Sequence, residues 1–377
     1  MKVYFDNAAT TMVCPEAAEA AMSAMTQCYG NPSSTHGMGR EAARLLDTAR
    51  KNVAAAVGAQ PGEIFFTSGG TEADNWAIAS GCEKMRRQGR HIIISEYEHD
   101  AVTNPCRRLE AQGWEVSLVT PGKDGRISPE SALDLVREDT ALVSVMLVNN
   151  EIGAVNPIGE IARGVKSRCG ALVHTDAVQG LCKVPLSVRS LGVDMMSLSS
   201  HKIHGPKGCG ALYVKSGVKL PPFILGGGQE GGQRSGTEAM PAIAAFGAAA
   251  KIGREKLETS YKSMTEIRRY LESAIAERVP GAVLLSKGGA PHILSISMPG
   301  YKSEVLMNYL DAQGIYVSKS SACKRGRRSH VLEVMGFAPE IIDGALRISL
   351  SRYSTMDEAE YFVLKLKEAS EKILKVL

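Results

Sequence analysis

Between about Gly62 and Lys215, short apolar runs alternate with amphipathic segments. This alternation limits the possible folds more than any other feature of the chain. Residues 63–67, 91–95, 142–147 and 171–176 are strand-length and apolar almost throughout, so they read as buried strands. Residues 72–87 and 158–168 are apolar on one side and read as helices. Continuous apolar strands separated by helices predict a mostly parallel sheet covered on both faces. Ligands of such sheets bind beyond the carboxyl ends of the strands.

Beyond about Gly253 the texture changes. A helical segment over 255–278 leads to short strands at 293–297 and 315–317, and then to further helices. This predicts a smaller α+β unit. A chain of 377 residues exceeds one ordinary core. The expected division is a large domain over 15–253 and a small one made from 1–14 and 254–377.

The composition is that of a globular protein, 44% hydrophobic and 22% charged. A net charge of +4 is too thinly spread for a general nucleic-acid binder. No run approaches the roughly 18 apolar residues of a membrane span, and Met1–Asn7 lacks a signal-peptide core. A cytoplasmic location is expected. The cysteines at 14, 28, 82, 106, 169, 182, 209 and 323 form no CxxC pair, so no metal site is expected.

Two of the runs end on reactive groups. Asp176 closes one, and Ser199-Ser200-His201-Lys202 closes another. A carboxylate and an amine delivered to one sheet edge are what pyridoxal phosphate (PLP) chemistry needs: a lysine to hold the cofactor as a Schiff base and an acid to partner its ring nitrogen. The acid keeps that nitrogen protonated through its opposite charge. A surface lysine and a strand-end aspartate would have the same local sequence.

The segment 67–72, Thr-Ser-Gly-Gly-Thr-Glu, follows a strand and opens a helix. Glycines let the backbone approach an anion, and the helix start offers free N–H groups, which suits a phosphate. It is also an ordinary capped turn. His99 follows the 91–95 strand, where an imidazole can stack on a ring and move protons near neutral pH, or serve structure alone. Asn150 follows 142–147 and could bond a ring hydroxyl or simply make a turn. Segment 226–237 is glycine-dense and ends Arg-Ser-Gly-Thr, a linker or an anion contact. Arg347 is a charge inside the apolar run 346–350; a substrate carboxylate or a structural ion pair would both account for it. Cys323 stands in a small-residue loop followed by Lys324-Arg325-Gly326-Arg327-Arg328. Nearby cations favour the thiolate, the reactive form. The basic run could equally be a solvated face or attract RNA.

Taken together, these segments resemble the cysteine desulfurases, the NifS/IscS-like members of the class V aminotransferase group of PLP enzymes. The likeness runs almost end to end. It covers 5–11, 30–34, 67–75, 148–153, 174–179, 201–208, 234–237 and 320–323. The resemblance implies the PLP-dependent fold type I, an α/β architecture with a mostly parallel, seven-stranded-type sheet and a smaller α+β domain. It implies that Lys202 carries the cofactor and Asp176 partners its nitrogen. Gln179 and Asn150 would contact the ring oxygen, and His99 would stack on the ring. Gly70, Thr71, Ser199 and His201 would hold the phosphate. Thr237 would reach the phosphate of a neighbouring subunit, hence a homodimer. Arg347, with Asn150, would bind the carboxylate of L-cysteine. Lys202, His99 and Cys323 are the implied catalytic residues. L-cysteine would become L-alanine, and the sulfur would pass to Cys323 as a persulfide, then to an acceptor protein for iron–sulfur cluster assembly or for tRNA or cofactor thiolation.

The loop after Cys323 is shorter and more basic than the family pattern, and the C-terminal extension that some members use to dock a scaffold is not expected here. Two rivals remain at this level. One is a selenocysteine lyase or another PLP lyase on the same scaffold. The other is a non-catalytic protein that binds RNA through 324–328; direct nucleic-acid binding is not the expected outcome.

Overall fold

The computed structural model describes residues 1–286, 288–319 and 328–375. Cys323 therefore lies outside the described residues. In chain order the strands are β1 (Val3–Tyr4), β2 (Ile64–Thr67), β3 (His91–Ser95), β4 (Glu115–Val119), β5 (Thr140–Ser144), β6 (Leu172–Asp176), β7 (Met195–Ser199), β8 (Gly210–Val214), β9 (Val283–Leu284), β10 (Ile293–Ser297), β11 (Ile315–Tyr316), β12 (Ser318–Lys319) and β13 (Ala345–Ser349).

Seven strands form one sheet in the order β2-β8-β7-β6-β5-β3-β4. The pairs β3–β4, β3–β5, β5–β6 and β6–β7 are parallel, and β8 runs antiparallel to both its neighbours. The mostly parallel sheet read from the sequence is thus present. Every residue of β3 and of β5 to β8 is buried, which is why these runs are apolar without alternation, whereas the edge strand β4 is partly exposed. Successive residues serve opposite faces. Ile92 and Ile94 pack with Trp76, Ile78 and Leu212. Ile93 packs on the other side with Val143, Val173, Phe246 and Ala249.

The helix Gly70–Met85 covers the first face. On the second, the helices Gly37–Val57 and Met240–Glu255 lie so close that a Cβ on Gly247 would come within 2.5 Å of Ala49 Cα. A separate core joins Val3 and Phe5 to the helices Leu257–Arg278 and Met356–Lys372 around the sheet β12-β13-β10-β9. The last of these helices opens on a Thr355/Glu358 capping box.

Boundaries differ from the sequence reading in three places. The run 142–147 leaves its strand at Ser144, and Val148 forms a bridge with Val155 instead. The helix expected over 255–278 spans Leu257–Arg278, with Lys256 separating it from the helix Met240–Glu255. The strand expected over 315–317 is split between β11, which pairs with β1, and β12, which pairs with β13. In the last case the distant partners β1 and β13 set the limits, and apolar periodicity does not record them.

Candidate functional site

Because β3, β5, β6 and β7 are parallel, their carboxyl ends share one edge of the sheet. β2 enters the same edge, since Thr67 and Ser199 both pair with Gly210. The fold therefore gathers the turns after five strands. They carry Gly70 and Thr71, His99, Asn150, Asp176 and Gln179, and Ser199 to Lys202.

Lys202 stands in a single turn of 3-10 helix that directly follows β7. Its Nζ donates to the carbonyls of Ala8 at 2.6 Å and Ala9 at 2.8 Å. Gln179 Nε2 donates to the same Ala8 carbonyl at 2.9 Å, leaving Gln179 Oε1 buried without a hydrogen-bond partner. His201 Nδ1 lies 3.1 Å from Thr10 Oγ1, and the His201 carbonyl accepts from Thr11. Burial, reinforced by Lys202, pushes the His201 imidazole down to about 4. The N-terminal segment 8–11 is thus fastened across this edge.

Asp176 closes β6 and is buried; its Oδ1 accepts from the Val178 N–H at 2.8 Å. Burial raises its pKa, and the Val178 N–H and the charges of His99 and Lys202 pull it back. The carboxylate, the amine and the imidazole therefore act on one another. His99 caps the helix Asp100–Glu110, its Nδ1 accepting from Ala101 at 3.1 Å.

Two further buried acids stand behind Asp176. Asp74, on the helix Gly70–Met85, is pushed well up by burial and then by Asp176. Glu98 is pushed up to about 8, chiefly by burial. Its Oε1 accepts from Ser95 Oγ and from the Met146 N–H, while Oε2 has no partner. His174, 3.6 Å from Asp74, is held neutral by burial, at about 3, between Ser144 and Ser197. The sequence reading assigned no role to Asp74, Glu98 or His174. Their signal was a polar residue on an otherwise buried face.

At the phosphate-like turn, a Cβ on Gly70 would fall 2.7 Å from Val178 Cγ2 and 3.6 Å from Ser199 Cβ. Only glycine fits there, and the helix start abuts Ser199. Ser200 Oγ nearby is buried and unpartnered. Thr71 is exposed at the helix start. Thr237 is exposed in the loop after Gly236. Arg234 of the same glycine-dense segment pairs with Glu72 at 2.7 Å, tying that segment to the helix start.

Arg347 lies in β13 and is buried. Its Nη2 bonds Asp6 Oδ1 at 2.9 Å and its Nη1 bonds the Asn150 carbonyl at 3.1 Å, with Nε unpartnered. It thus has the anionic partner expected of it, within the chain.

A cavity of about 640 Å³ opens beside His99 and Asn150, bordered also by Glu98, Glu151, Arg328 and His330. Lys202 and Asp176 do not line it. The residues just beyond the Cys323 loop are fixed at its border. Arg328 pairs with Asp343, Ser329 Oγ bonds Glu151, and His330 Nε2 lies 2.9 Å from the Glu96 carbonyl.

The donor set fits PLP. A lysine amine and a buried carboxylate lie on adjacent strand ends, Gln179 Oε1 is an unused acceptor, and a glycine-lined helix start adjoins Ser199 and the unpartnered Ser200 Oγ.

The model of the class-V aminotransferases matches residues 3–362. A protein of Methanosarcina thermophila named cysteine desulfurase IscS is 41% identical over 98% of this chain and 92% of its own. One of Dictyoglomus turgidum with the same name is 37% identical over 99% of this chain and 95% of its own. A solved NifS-like protein superposes with a TM-score of 0.93 at 40% identity, covering 99% of this chain and all of its own.

Proposed function

Because the chain belongs to the class-V aminotransferase family, we propose that it is a PLP-dependent cysteine desulfurase, which converts L-cysteine to L-alanine and passes the sulfur to Cys323. The observation that carries this reading is the mutual charge interaction of Lys202 and Asp176 at adjacent strand ends. Bound PLP supplies an electron sink next to the substrate's Cα.

The side chains then have distinct tasks. Lys202 holds the cofactor and its Nζ takes the Cα proton. Asp176, whose pKa burial raises against the pull of the Val178 N–H, His99 and Lys202, would partner the ring nitrogen and favour its protonated form. Gln179 Oε1 and Asn150 would bind the ring oxygen, and His99 would stack on the ring. Gly70, Thr71, Ser199 and His201 would hold the phosphate, and Thr237 would reach that of the partner subunit. Arg347 orients the substrate carboxylate, for which its Nε is available. The Cys323 thiolate attacks the substrate sulfur, the Cβ–S bond breaks, and alanine leaves with the protons returned to Cα and Cβ. Cys323 is left as a persulfide. The residues that flank this segment, Lys319 and Arg328, pair with Glu304 and Asp343.

The same reading makes the protein a homodimer. Exposed Met12, Met22, Met25, Tyr29 and Leu225 are apolar surface that a second copy would cover. It divides the chain into the domains 15–253 and 1–14 with 254–377. It assigns the protein to the cytoplasm; no helix among the described residues is long and apolar enough to cross a membrane. The sulfur acceptor belongs to iron–sulfur assembly or to thiolation.

The test is alanine and sulfide release from L-cysteine with a reductant, with the absorbance of bound PLP recorded alongside. Cys323→Ala is expected to stay yellow and lose turnover. Equal release by both proteins would overturn the role of Cys323. Faster turnover of L-selenocysteine by both would favour a selenocysteine lyase.

A further inference from the structure

Behind Lys202 lies a second cavity of about 20 Å³, bordered by Cys182, Lys183, Lys202, His204, Ser260 and Arg352 among others. That is room for one small sphere. Among the described residues, no carboxylate lines it. Two cations do so with buried hydrogen-bond donors unused. Lys183 is 5% exposed and its Nζ has no partner. Arg352 Nε and Nη2 are likewise buried and without a hydrogen-bond partner among the described residues, and its guanidinium lies over the Tyr353 ring at 5.1 Å. Neither residue takes part in an ion pair among the described residues.

The two differ in how they can respond. Burial, then Lys202 and Arg347, push the Lys183 ammonium down to about 7, so it can shed its charge; the Cys182 thiol acts weakly the other way. Arg352 cannot deprotonate. A buried guanidinium with open donors needs an acceptor. Glu16 senses the Arg352 charge only as a minor influence and is exposed. Nor can the walls close in. A Cβ on Gly253 would already meet Cys182 Sγ at 2.8 Å.

We propose that this cavity is a binding site for a monovalent anion of halide size, held between Lys183 and Arg352 behind Lys202. A water molecule would fill the space but leave the charge uncompensated. An anion supplies acceptor and charge together. Polyatomic anions such as gluconate exceed the volume.

The test uses the full-length protein with its cofactor. Thermal unfolding is followed in sodium chloride and in sodium gluconate at equal ionic strength, and crystals grown in bromide are examined for anomalous scattering. The wild type is expected to show one bromide peak in the cavity and a chloride-dependent rise in Tm that saturates at roughly 2 °C or more. Lys183→Met and Arg352→Met should each lose both. Lys183→Met keeps an unbranched apolar stem and removes a buried charge, so it keeps the test decisive if Arg352→Met does not fold. Equal Tm in the two salts with no bromide peak overturns the proposal, the cavity then holding water beside a neutral Lys183. A chloride shift that persists in Lys183→Met also overturns it.

Discussion

Arg347 and Asp6, at opposite ends of the chain, form a 2.9 Å ion pair in which the arginine is almost wholly buried. The pair joins β13 to the segment that carries Ala8 and Ala9 over Lys202, and the bridge between Asp6 and Ser349 adds to it. Arg347 thus fastens the N-terminal strap while its buried Nε has no hydrogen-bond partner among the described residues; under the proposed function it also binds the substrate carboxylate. Arg347→Ala should raise KM for L-cysteine about tenfold or more, the usual worth of a charge-assisted hydrogen bond. Asp6→Asn should lower Tm and leave KM within about twofold. Steady-state kinetics and calorimetry on both variants separate the two roles, and equal KM effects would contradict this assignment.

Glu98 titrates at about 8 because burial opposes its charge. Its unfolded value is near 4.3. Between these values the folded protein holds a proton that the unfolded chain lacks, so this group's contribution to stability declines as pH rises from about 4.5 to 8. Glu98→Gln keeps an acceptor for Ser95 and the Met146 N–H and mimics the protonated acid. Urea unfolding at pH 5 to 8 should show the slope changed by up to about 1.4 kcal/mol per pH unit in the direction of rising stability. An unchanged slope would mean that Glu98 is ionised in the fold.

The buried histidines act in the opposite sense. Burial holds His174 at about 3, His204 at about 3 and His201 at about 4, and it lowers His292 as well. All four lie below the unfolded value near 6.5. Below that value the unfolded chain binds more protons, so their contribution is present above pH 6.5 and is lost on acidification. Asp74, Glu98 and Asp176 offset part of this. For His174→Gln, stability between pH 6.5 and 5 should fall less steeply than in the wild type, by up to about 1.4 kcal/mol per unit. Its stability at pH 7 should be lower, because the bonds to Ser144 and Ser197 are disturbed. Parallel profiles would show that His174 is not buried neutral.

Glu230 takes an unfavourable positive φ of 49° in the glycine-dense segment. It is kept there by a two-pronged pair with Arg50 at 2.7 Å per bond and by the Phe66 N–H at 2.9 Å. These bonds anchor the segment that carries Arg234 and Thr237 to β2. Glu230→Ala should cost about 3 kcal/mol, since a partly buried guanidinium loses its partner. Hydrogen exchange across 226–237 should quicken in the same variant. Unchanged protection would mean that the Arg234–Glu72 pair alone holds the segment.

The sequence alone determined the strand and helix alternation from 62 to 215 and the reactive residues that end the runs. A strand buried on both faces must be apolar throughout, and a turn at its end can carry whatever chemistry it likes. Asp176, His99 and Lys202 stand out in the sequence for that reason. Tertiary structure decided what those groups meet. The pairing of Arg347 with Asp6, the strap over Lys202, the raised pKa of Glu98 and the carboxylate-free cavity at Lys183 and Arg352 each join segments far apart in sequence. Desolvation and charge interaction sum over everything nearby in space, and nearness in space is not written in local periodicity.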